Sequence, residues 1–545
     1  MINHIHKILL FLSIWSVSLA ISAQESLILG GGFQTNANLF IRDSSIGAAN
    51  IPQYDHQLFG AESWLDINAS YQGFNAGIRF DLFNNSNLLD PKQSYTDQGI
   101  GRWFINKQVD RFDITAGYIY DQIGSGIIYR AYEERAQLID NALVGISCKF
   151  NFNNNWSLKG FTGKQKNLFE QYNSIIKGVS LNGFYKPTDT SSWSIAPGFG
   201  FVNRTIGDQV VQDLVTILSS YLPVDQVTPN YNTNAISVFN TLTYRDFSWY
   251  VEAAYKPDDL YYDPTAVRSL GKGNTDLGKY VKQDGSVFYT SIGYAAHNLG
   301  ITIEGKRTEA FDFRAEPTLT LNKGLITFIP PSSKINTYRL NSYYYPATQY
   351  LSEMAYQIDL KYGFGDHWNF SVNFSDIRDK DFTKEFYKEI YAEVLYKKPG
   401  SWQLSGGLQH QRFNQEVYYG KGGQPTIKTI TPFAEFLYKF SRKNSIRVEA
   451  QYMDNKEDIG SWVNGLVELG FSPHWLIEVS DMYNVKPTHD KKAIHYPAFG
   501  IVYNYGSNRF GIKYVKQLEG IVCSGGICRL EPAFSGIRAS ITSSF

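Results

Sequence analysis

Apolar and polar side chains alternate along much of this chain, in stretches of about 8 to 12 residues. Clear examples are 247–256, 389–396 and 446–452. Successive side chains of a strand point to opposite faces, so each stretch predicts a strand with one apolar and one polar face. In a soluble sandwich the apolar face would point into a core. In a transmembrane barrel it contacts lipid, and the polar face lines the lumen.

The links between these stretches favour the barrel, because short and long links alternate. Short links are predicted at Gly73-Phe74, Asp110-Arg111, 153–155, Arg245-Asp246, His297-Asn298, Gly365-Asp366, Pro399-Gly400, 442–444, Ser472-Pro473 and 506–508. The longest links fall at 44–60, 204–233 and 309–351. Outer-membrane barrels combine short periplasmic turns with long extracellular loops. We therefore predict an all-β fold, a single large antiparallel transmembrane β-barrel of about 24 strands, within a range of about 20 to 26.

Aromatic residues mark one end of this predicted barrel. Tryptophans that closely follow a short turn are Trp156, Trp193, Trp249, Trp368, Trp402 and Trp475. Indole has an apolar ring and a polar N–H and favours the membrane–water interface, so these residues predict a periplasmic aromatic girdle. The chain ends on Phe545 after an amphipathic stretch. We interpret Phe545 as a signal for the outer-membrane assembly machinery; the alternative is a strand that merely ends there.

The first residues predict export from the cytoplasm. Lys7 precedes an apolar run at 8–20, and Ser22 and Ala23 supply the small residues of a cleavage site. This pattern predicts a signal peptide over residues 1–23. The alternative is a membrane anchor helix, which needs about 20 apolar residues. The first predicted strand begins near Leu27, so we expect the barrel to occupy 24–545 with no separate plug domain.

Composition narrows the class of protein. Among 545 residues, 51 Lys and Arg balance 51 Asp and Glu, which argues against a nucleic-acid partner. An aromatic content of 15% argues against a disordered chain. With only three cysteines, the chain is not a disulfide-scaffolded domain.

Two motifs add a family resemblance. The segments 124–135 (GSGIIYRAYEER) and 523–529 (CSGGICR), with the Tyr-rich strands and the signal-peptide end, resemble an uncharacterised outer-membrane β-barrel family of Bacteroidetes-type bacteria. The resemblance implies a porin-like barrel fold and an outer-membrane location. It implies no substrate and carries over no catalytic residue.

Two loop features suggest specific roles. Cys523 and Cys528 bracket two glycines in the last long link, which predicts a disulfide in an oxidising compartment; a metal or redox pair is the alternative. A cluster of mixed charge lies between two predicted strands. Its members are Arg130, Glu133, Glu134 and Arg135. The cluster predicts either a constriction folded into the lumen, allowed by nearby glycines, or a solvated surface loop.

Other loops carry structural rather than chemical signals. The segment 209–222 has apolar residues at helical spacing and predicts a short amphipathic helix. The segment 318–329 predicts a hairpin, either extracellular or forming a lid over the pore. Enzyme signals are weak: His489, Asp490 and His495 share a loop without a nucleophile motif. Asp258, Asp259 and Asp263 could bind a divalent cation through their carboxylate oxygens, but they lack the spacing of an EF-hand loop. We expect no enzyme activity, no cofactor and no metal.

The function that these features favour is a porin-like channel in the outer membrane for a hydrophilic solute or polymer. The alternative is a structural or assembly subunit that docks partners through its loops. Charged residues predicted on the lumenal face are Glu252, Glu304, Lys306, Glu389, Glu393, Glu435, Lys439, Arg447 and Glu449. Their mixed sign predicts little ion selectivity. Expected partners are outer-membrane lipid, the assembly machinery, and a protein that closes the lumen or docks on the outer loops.

Overall fold

The computed structural model describes residues 27–488, 492–524 and 527–545, and gives no side chains for 521–529. The predicted signal peptide, residues 1–23, lies outside the described residues. Within the described ranges, no helix is long and apolar enough to cross a membrane.

Strands make up most of the described chain, and 24 of them form one antiparallel sheet. They are β1 (Ile28–Phe40), β2 (Phe59–Tyr71), β3 (Phe74–Ser86), β4 (Tyr95–Val109), β5 (Phe112–Ile119), β6 (Leu143–Asn151), β7 (Trp156–Asn167), β8 (Glu170–Gly183), β9 (Trp193–Thr205), β10 (Asn232–Tyr244), β11 (Phe247–Gly271), β12 (Asn274–Ala296), β13 (Leu299–Glu309), β14 (Ser352–Phe364), β15 (Trp368–Arg378), β16 (Glu385–Lys398), β17 (Trp402–Phe413), β18 (Ile427–Lys439), β19 (Asn444–Asn455), β20 (Ser461–Phe471), β21 (Trp475–Lys486), β22 (His495–Tyr505), β23 (Asn508–Gln517) and β24 (Phe534–Ser544).

The sheet closes on itself. Each strand pairs with the next, and β24 pairs with β1 in a register that places Ser544 opposite Gly32 and Gly536 opposite Phe40. Closure pairs the first and last strands with each other, so the sheet has no terminal strand with an unpaired edge. The predicted fold class and strand number are confirmed.

The two faces of the wall differ as the period of two predicts. On β16, Ile390 and Val394 are exposed on the outer face, at 47% and 39%. The alternating residues Glu389 and Tyr391 point into the barrel and are 0% and 1% exposed. Because neighbouring strands are in register, this alternation continues around the wall and gives an apolar exterior and a polar interior.

The two ends of the barrel also differ. The predicted short turns all lie at one end, which we call the turn end; several use left-handed residues, such as Asp110 (φ 50°) and Gly365 (φ 58°). An additional, longer link at this end, 184–192, was not predicted. The opposite end, the loop end, carries the long links, including 41–58 and 206–231.

One hairpin rises above the rest of the loop end. Strands β11 and β12 have 25 and 23 residues, and their outer part, 256–285, pairs only with itself. We call this part the projecting hairpin. The predicted helix at 209–222 is confirmed as α1 (Asp208–Ser219), which packs on the projecting hairpin. Other short elements are α2 (Gln415–Tyr419), 3-10 turns at Ser44–Ile46 and Arg135–Gln137, a π turn at Gln53–Gln57, and small strand pairs Glu133–Glu134 with Ile139–Asp140 and Gly520–Ser524 with Ile527–Glu531.

Candidate functional site: the filled lumen

The chain leaves the wall at mid-height between β5 and β6. These strands have only 8 and 9 residues, whereas their neighbours β4 and β7 have 15 and 12. The intervening residues 120–142, which we call the first inner segment, therefore enter the lumen. Gly124 (φ 56°) and Gly126 (φ 104°) take left-handed conformations there. A Cβ on Gly124 would lie 2.7 Å from the carboxylate of the wall residue Glu252, so only glycine allows this approach.

A second inner segment, residues 310–351, enters the lumen from the loop end. Its two ends continue the pairing of β13 and β14: Ala310 N donates to Leu351 O, and Phe311 N donates to Tyr350 O, both at 2.8 Å. Between these ends the chain folds inward, and Phe311 and Phe313 are 0% exposed.

The predicted hairpin at 318–329 is wrong. Residues 318–324 contain the turns, so 318–321 do not form the predicted arm. Leu325 pairs with Arg314 instead, and 326–328 pair with the first inner segment. Phe328 N donates to Gly126 O at 3.0 Å, and Arg130 N donates to Ile326 O at 2.8 Å. The apolar side chains at 325–329 obtain more burial inside the lumen than an exposed hairpin could give them.

Two apolar clusters fix the inner segments to the wall. The first joins Ile123, Ile127, Ile128, Phe311, Phe313, Ile326 and Ile329 to Phe161, Ile176, Val202, Ala235, Ala254 and Val287 on β7 to β12. The second joins Leu340 and Tyr344 to Phe40, Phe413, Met453, Trp462 and Phe534 on the other half of the wall. The inner segments thus contact both halves of the barrel.

An ion-pair network holds the first inner segment. Arg79 on β3 is 1% exposed; it pairs with Asp81 on its own strand at 2.6 Å and with Glu133 and Asp140 of the inner segment at 2.8 and 3.0 Å. Lys166 on β7 also pairs with Asp140, at 2.5 Å. Buried charges need such partners because desolvation otherwise disfavours them.

The predicted constriction residues lie in this region of the lumen. Arg135 pairs with Asp66 at 3.2 Å and with Glu133 at 2.9 Å. The Glu134 carboxylate accepts a hydrogen bond from Ala136 N at 3.3 Å and begins a short 3-10 turn. Arg130 stacks on aromatic rings. Their role in limiting a pore stays a prediction.

A second charged group holds the second inner segment at the loop-end rim. Asp259 on β11 is fully buried and accepts hydrogen bonds from Lys256 and from Arg204, the latter at 2.6 Å. Arg204 donates onward to the carbonyl of Arg314 at 2.8 Å, and Lys256 donates to the carbonyl of Asp312 at 3.2 Å. The carboxylate therefore orients two cations that bind the backbone of the segment.

The remaining polar wall residues satisfy the backbone of the second inner segment in the same manner. Gln451 accepts from Leu340 N at 2.7 Å, and Gln409 donates to Asn341 O at 3.1 Å. Lys306 donates to Pro330 O at 2.6 Å. Lumenal charges such as Lys306 thus contact the inner segments. The sequence pattern predicted that these charges face the lumen and left open whether the chain's own loops occupy it.

Space remains on two sides of the inner segments. One cavity of about 400 Å³ lies against β21 to β24 and β1, where Glu478 pairs with Lys513 at 2.6 Å. Another cavity of about 420 Å³ is lined by Arg102 on β4 and by parts of the first inner segment. The filled lumen is therefore not completely packed.

The other predicted residues are placed as follows. The six tryptophans lie at or near the turn-end start of their strands, and Trp156 and Trp475 are exposed. Phe545 pairs through its backbone with Gly31. Cys523 stands opposite Cys528 in the strand register, but both side chains lie outside those described, so the disulfide stays a prediction. Cys148 is a free thiol.

The weaker candidates for chemistry are only partly described. His489 and Asp490 lie outside the described residues, and His495 contacts Asp481 at 2.6 Å. Asp263 accepts hydrogen bonds from Thr265. Within the described part of the chain, no group of three His, Cys, Asp or Glu is placed to hold a metal ion.

The fold and the site together define a large closed β-barrel of the outer-membrane type, with a lumen filled by its own chain. The chain belongs to DUF6029, a family of unknown function, whose model matches residues 2–545. The predicted membership in an uncharacterised barrel family is confirmed. No curated relative matches the chain at a significant level.

Solved barrels share the general architecture. The translocation pore of the P pilus usher PapC is 9% identical, with 95% of this chain and 99% of that chain covered and a TM-score of 0.45. The siderophore receptor PirA from Pseudomonas aeruginosa is 7% identical, with 96% and 81% covered and a TM-score of 0.41. The FrpB iron transporter from Neisseria meningitidis is 8% identical, with 95% and 81% covered and a TM-score of 0.40. At these identities the likeness concerns the fold alone.

Proposed function

We propose that this protein is a gated channel of the outer membrane, for hydrophilic solutes, and that its own inner segments close it at rest. One observation supports the proposal above the others. The wall presents polar and charged residues to the lumen, yet the lumen is occupied by segments of the same chain. A wall of 24 strands is wider than the 16 to 18 strands that already leave an aqueous channel.

The outer surface supports the membrane location. Val238, Ile303, Val479 and Ile512 are exposed on the outer face of four different strands. A continuous apolar band of this kind is costly in water and suits lipid. The predicted signal peptide, the tryptophans near the turn end and Phe545 fit the same proposal, with the turn end in the periplasm. Outer-membrane lipid and the assembly machinery are the partners that it requires.

The inner segments are suited to reversible closure. Each is continuous with the wall at both ends, so it can leave the lumen without breaking the barrel. Polar wall residues that bind it when closed, such as Gln409 and Gln451, can bind water when it leaves. The two cavities leave space beside the inner segments before any movement.

Weakening the apolar anchor of the second inner segment should increase opening. In the double variant Phe311→Ala and Phe313→Ala, each truncation removes a fully buried ring from the closed state. Such a loss costs about 3 kcal/mol, which corresponds to roughly a hundredfold shift in a two-state population. We expect rare, brief current steps from the wild type in planar bilayers and a strongly raised open fraction from the variant.

The matched control is Phe382→Ala, which truncates an exposed phenylalanine in a loop-end link. It should leave the open fraction unchanged. A folded double variant that never conducts, at any voltage, would count against the channel. That result would favour the second candidate function, a structural subunit, for which the projecting hairpin offers the exposed apolar residues Val267, Leu270 and Leu277.

A further inference from the structure

The 420 Å³ cavity contains two arginines that no described carboxylate neutralises. Its lining includes Arg102 from the wall and Arg130 from the first inner segment. Asp121, which also lines it, pairs with Lys159, three residues from the turn-end start of β7. The cavity therefore lies on the turn side of the first inner segment, inside the lumen.

Aromatic rings hold both guanidinium groups. Arg102 lies 4.8 Å from the ring centroid of Phe104 and 5.0 Å from that of Tyr120. Arg130 lies 4.6 Å from the centroid of Tyr132 and 3.9 Å from that of Phe328. Stacking fixes the plane of a guanidinium and leaves its N–H edge available for a planar anion.

The hydrogen-bonding capacity of these two guanidinium groups is unused among the residues that the structure describes. Among the described side chains, no carboxylate forms an ion pair with Arg102 or Arg130, and no acceptor takes a hydrogen bond from either guanidinium. The Nε atom of Arg102 is buried without a partner. A buried donor without an acceptor is unfavourable, so the described residues leave the guanidinium of Arg102 incompletely satisfied.

The acidic residues of the cavity do not offset the two positive charges. Asp121 is neutralised by Lys159 at 2.5 Å. Glu133 is neutralised by Arg79 at 2.8 Å and by Arg135 at 2.9 Å. Both acidic lining residues are therefore paired with other cations, and neither forms an ion pair with Arg102 or Arg130.

We propose that Arg102 and Arg130 bind an oxyanion group, a carboxylate or phosphate, of the hydrophilic solute that the barrel admits. The solute part of this inference rests on the proposed channel function, whereas the binding part stands without it. Two stacked guanidinium groups give the bidentate, charge-assisted hydrogen bonds that such groups prefer. Tyr132 completes the site as a neutral donor, because burial raises the pKa of its phenol to about 12.

Equilibrium binding to the full-length protein in nanodiscs tests this site. The probes are inorganic phosphate, citrate and, as a neutral solute, glucose, titrated calorimetrically at fixed ionic strength so that screening stays constant. We expect phosphate or citrate to bind and glucose not to bind. Arg102→Gln and Arg130→Gln should each weaken anion binding roughly tenfold or more, and the double variant about a hundredfold.

Two further variants keep the result interpretable. Arg245→Gln removes an arginine that stacks on Tyr244 at 5.4 Å but lies in a turn outside the lumen, so it should bind anions like the wild type. Arg102→Lys with Arg130→Lys retains charge without the planar N–H edge and should bind at least tenfold more weakly. Heat-modifiable mobility in gels reports whether each barrel is folded.

The outcomes separate the possibilities. Binding of citrate alone identifies a carboxylate site, and binding of phosphate alone identifies a phosphate site. Equal anion affinity in the wild type and the folded double glutamine variant would overturn the inference, as would the absence of anion binding to the wild type. Calorimetric binding does not depend on conductance. A barrel that binds anions through these arginines but conducts no current in planar bilayers would refute the channel and leave the binding site intact.

Discussion

Replacing residues 312–349 with an Asn-Gly turn is expected to convert a mostly closed barrel into a permanently conducting one. The replacement removes the second inner segment but keeps Phe311 and Tyr350, whose backbones already pair at 2.8 Å. An Asn-Gly turn closes an antiparallel pair of this kind with two residues. Strands β13 and β14 should therefore remain a regular hairpin, and the sheet should still form a complete barrel around the opened lumen.

The expected conductance follows from what the deleted segment occupies. It fills the half of the lumen against β14 to β24 through Leu340 and Tyr344, and its residues 313–329 also cover the first inner segment. The first inner segment keeps its own contacts with β7 to β12. About half of a lumen wider than that of a general porin should open to water. Planar-bilayer recordings should show ohmic steps, and the mean conductance should rise about tenfold or more over the wild type.

A deletion outside the lumen supplies the control. Ile206 N donates to Tyr231 O at 2.9 Å, so the link 207–230 can be replaced by the same Asn-Gly turn. This change removes α1, which packs on the projecting hairpin, and should leave conductance at the wild-type level. Equal, low conductance from both folded deletions would show that the second inner segment does not close the pore.

The wall could be predicted from the sequence because its determinants are local. Alternation along 389–396 fixes which side chains face out, and short turns such as Gly365-Asp366 fix where each strand reverses. Both signals span only a few residues, and closure follows from repetition. The strand count and the short turns were therefore predicted, although the longer turn-end link at 184–192 was not.

The filled lumen could not be predicted in the same way because its contacts are remote in sequence. Thr327 donates to the carbonyl of Ile127, and Arg204 to that of Arg314. The apolar run at 325–329 predicted a hairpin, since an extended chain against an apolar cluster has the same local pattern as a strand. Nothing local distinguishes these two environments.

One sequence signal for the inner network was available. Arg79 and Asp81 lie two residues apart and so share the inward face of one strand. The same spacing of opposite charges pairs Arg447 with Glu449. Such pairs indicate inward-facing charges that have little access to water and therefore need a partner of opposite charge. The mixed sign of the lumenal charges predicted weak ion selectivity. A solute, however, contacts only charges that are accessible. Arg102 and Arg130 are accessible in the 420 Å³ cavity beside the first inner segment.

Removing the carboxylate of Asp259 should release the second inner segment at the loop-end rim. In Asp259→Ala, Arg204 and Lys256 stay buried, at 2% and 0% exposure, but lose the anion between them. Breaking a buried ion pair by removing one partner costs about 3 to 5 kcal/mol. We expect a lower barrel-unfolding temperature in detergent and faster hydrogen exchange across 310–351.

Removal of the Asp259 carboxylate should also destabilise the second inner segment, because Arg204 and Lys256 bind the backbone of that segment. Arg204 and Lys256 donate to the carbonyls of Arg314 and Asp312, and both lie near the ring of Phe313. Without Asp259 they repel each other and can no longer both hold these positions. Exchange should therefore rise first at 311–314, before it rises in the strands.

Two variants distinguish the loss of these backbone contacts from general destabilisation of the projecting hairpin. Asp263→Ala removes a half-buried carboxylate that contacts neither cation from the same strand and should change neither measurement. Replacing Arg204, Lys256 and Asp259 together by apolar residues of similar size should restore much of the unfolding temperature, because no unpaired charge then remains. The same triple variant should still exchange rapidly at 311–314, since the donors to those carbonyls are gone. Slow exchange there in the triple variant would show that apolar packing of Phe311 and Phe313 alone holds the segment.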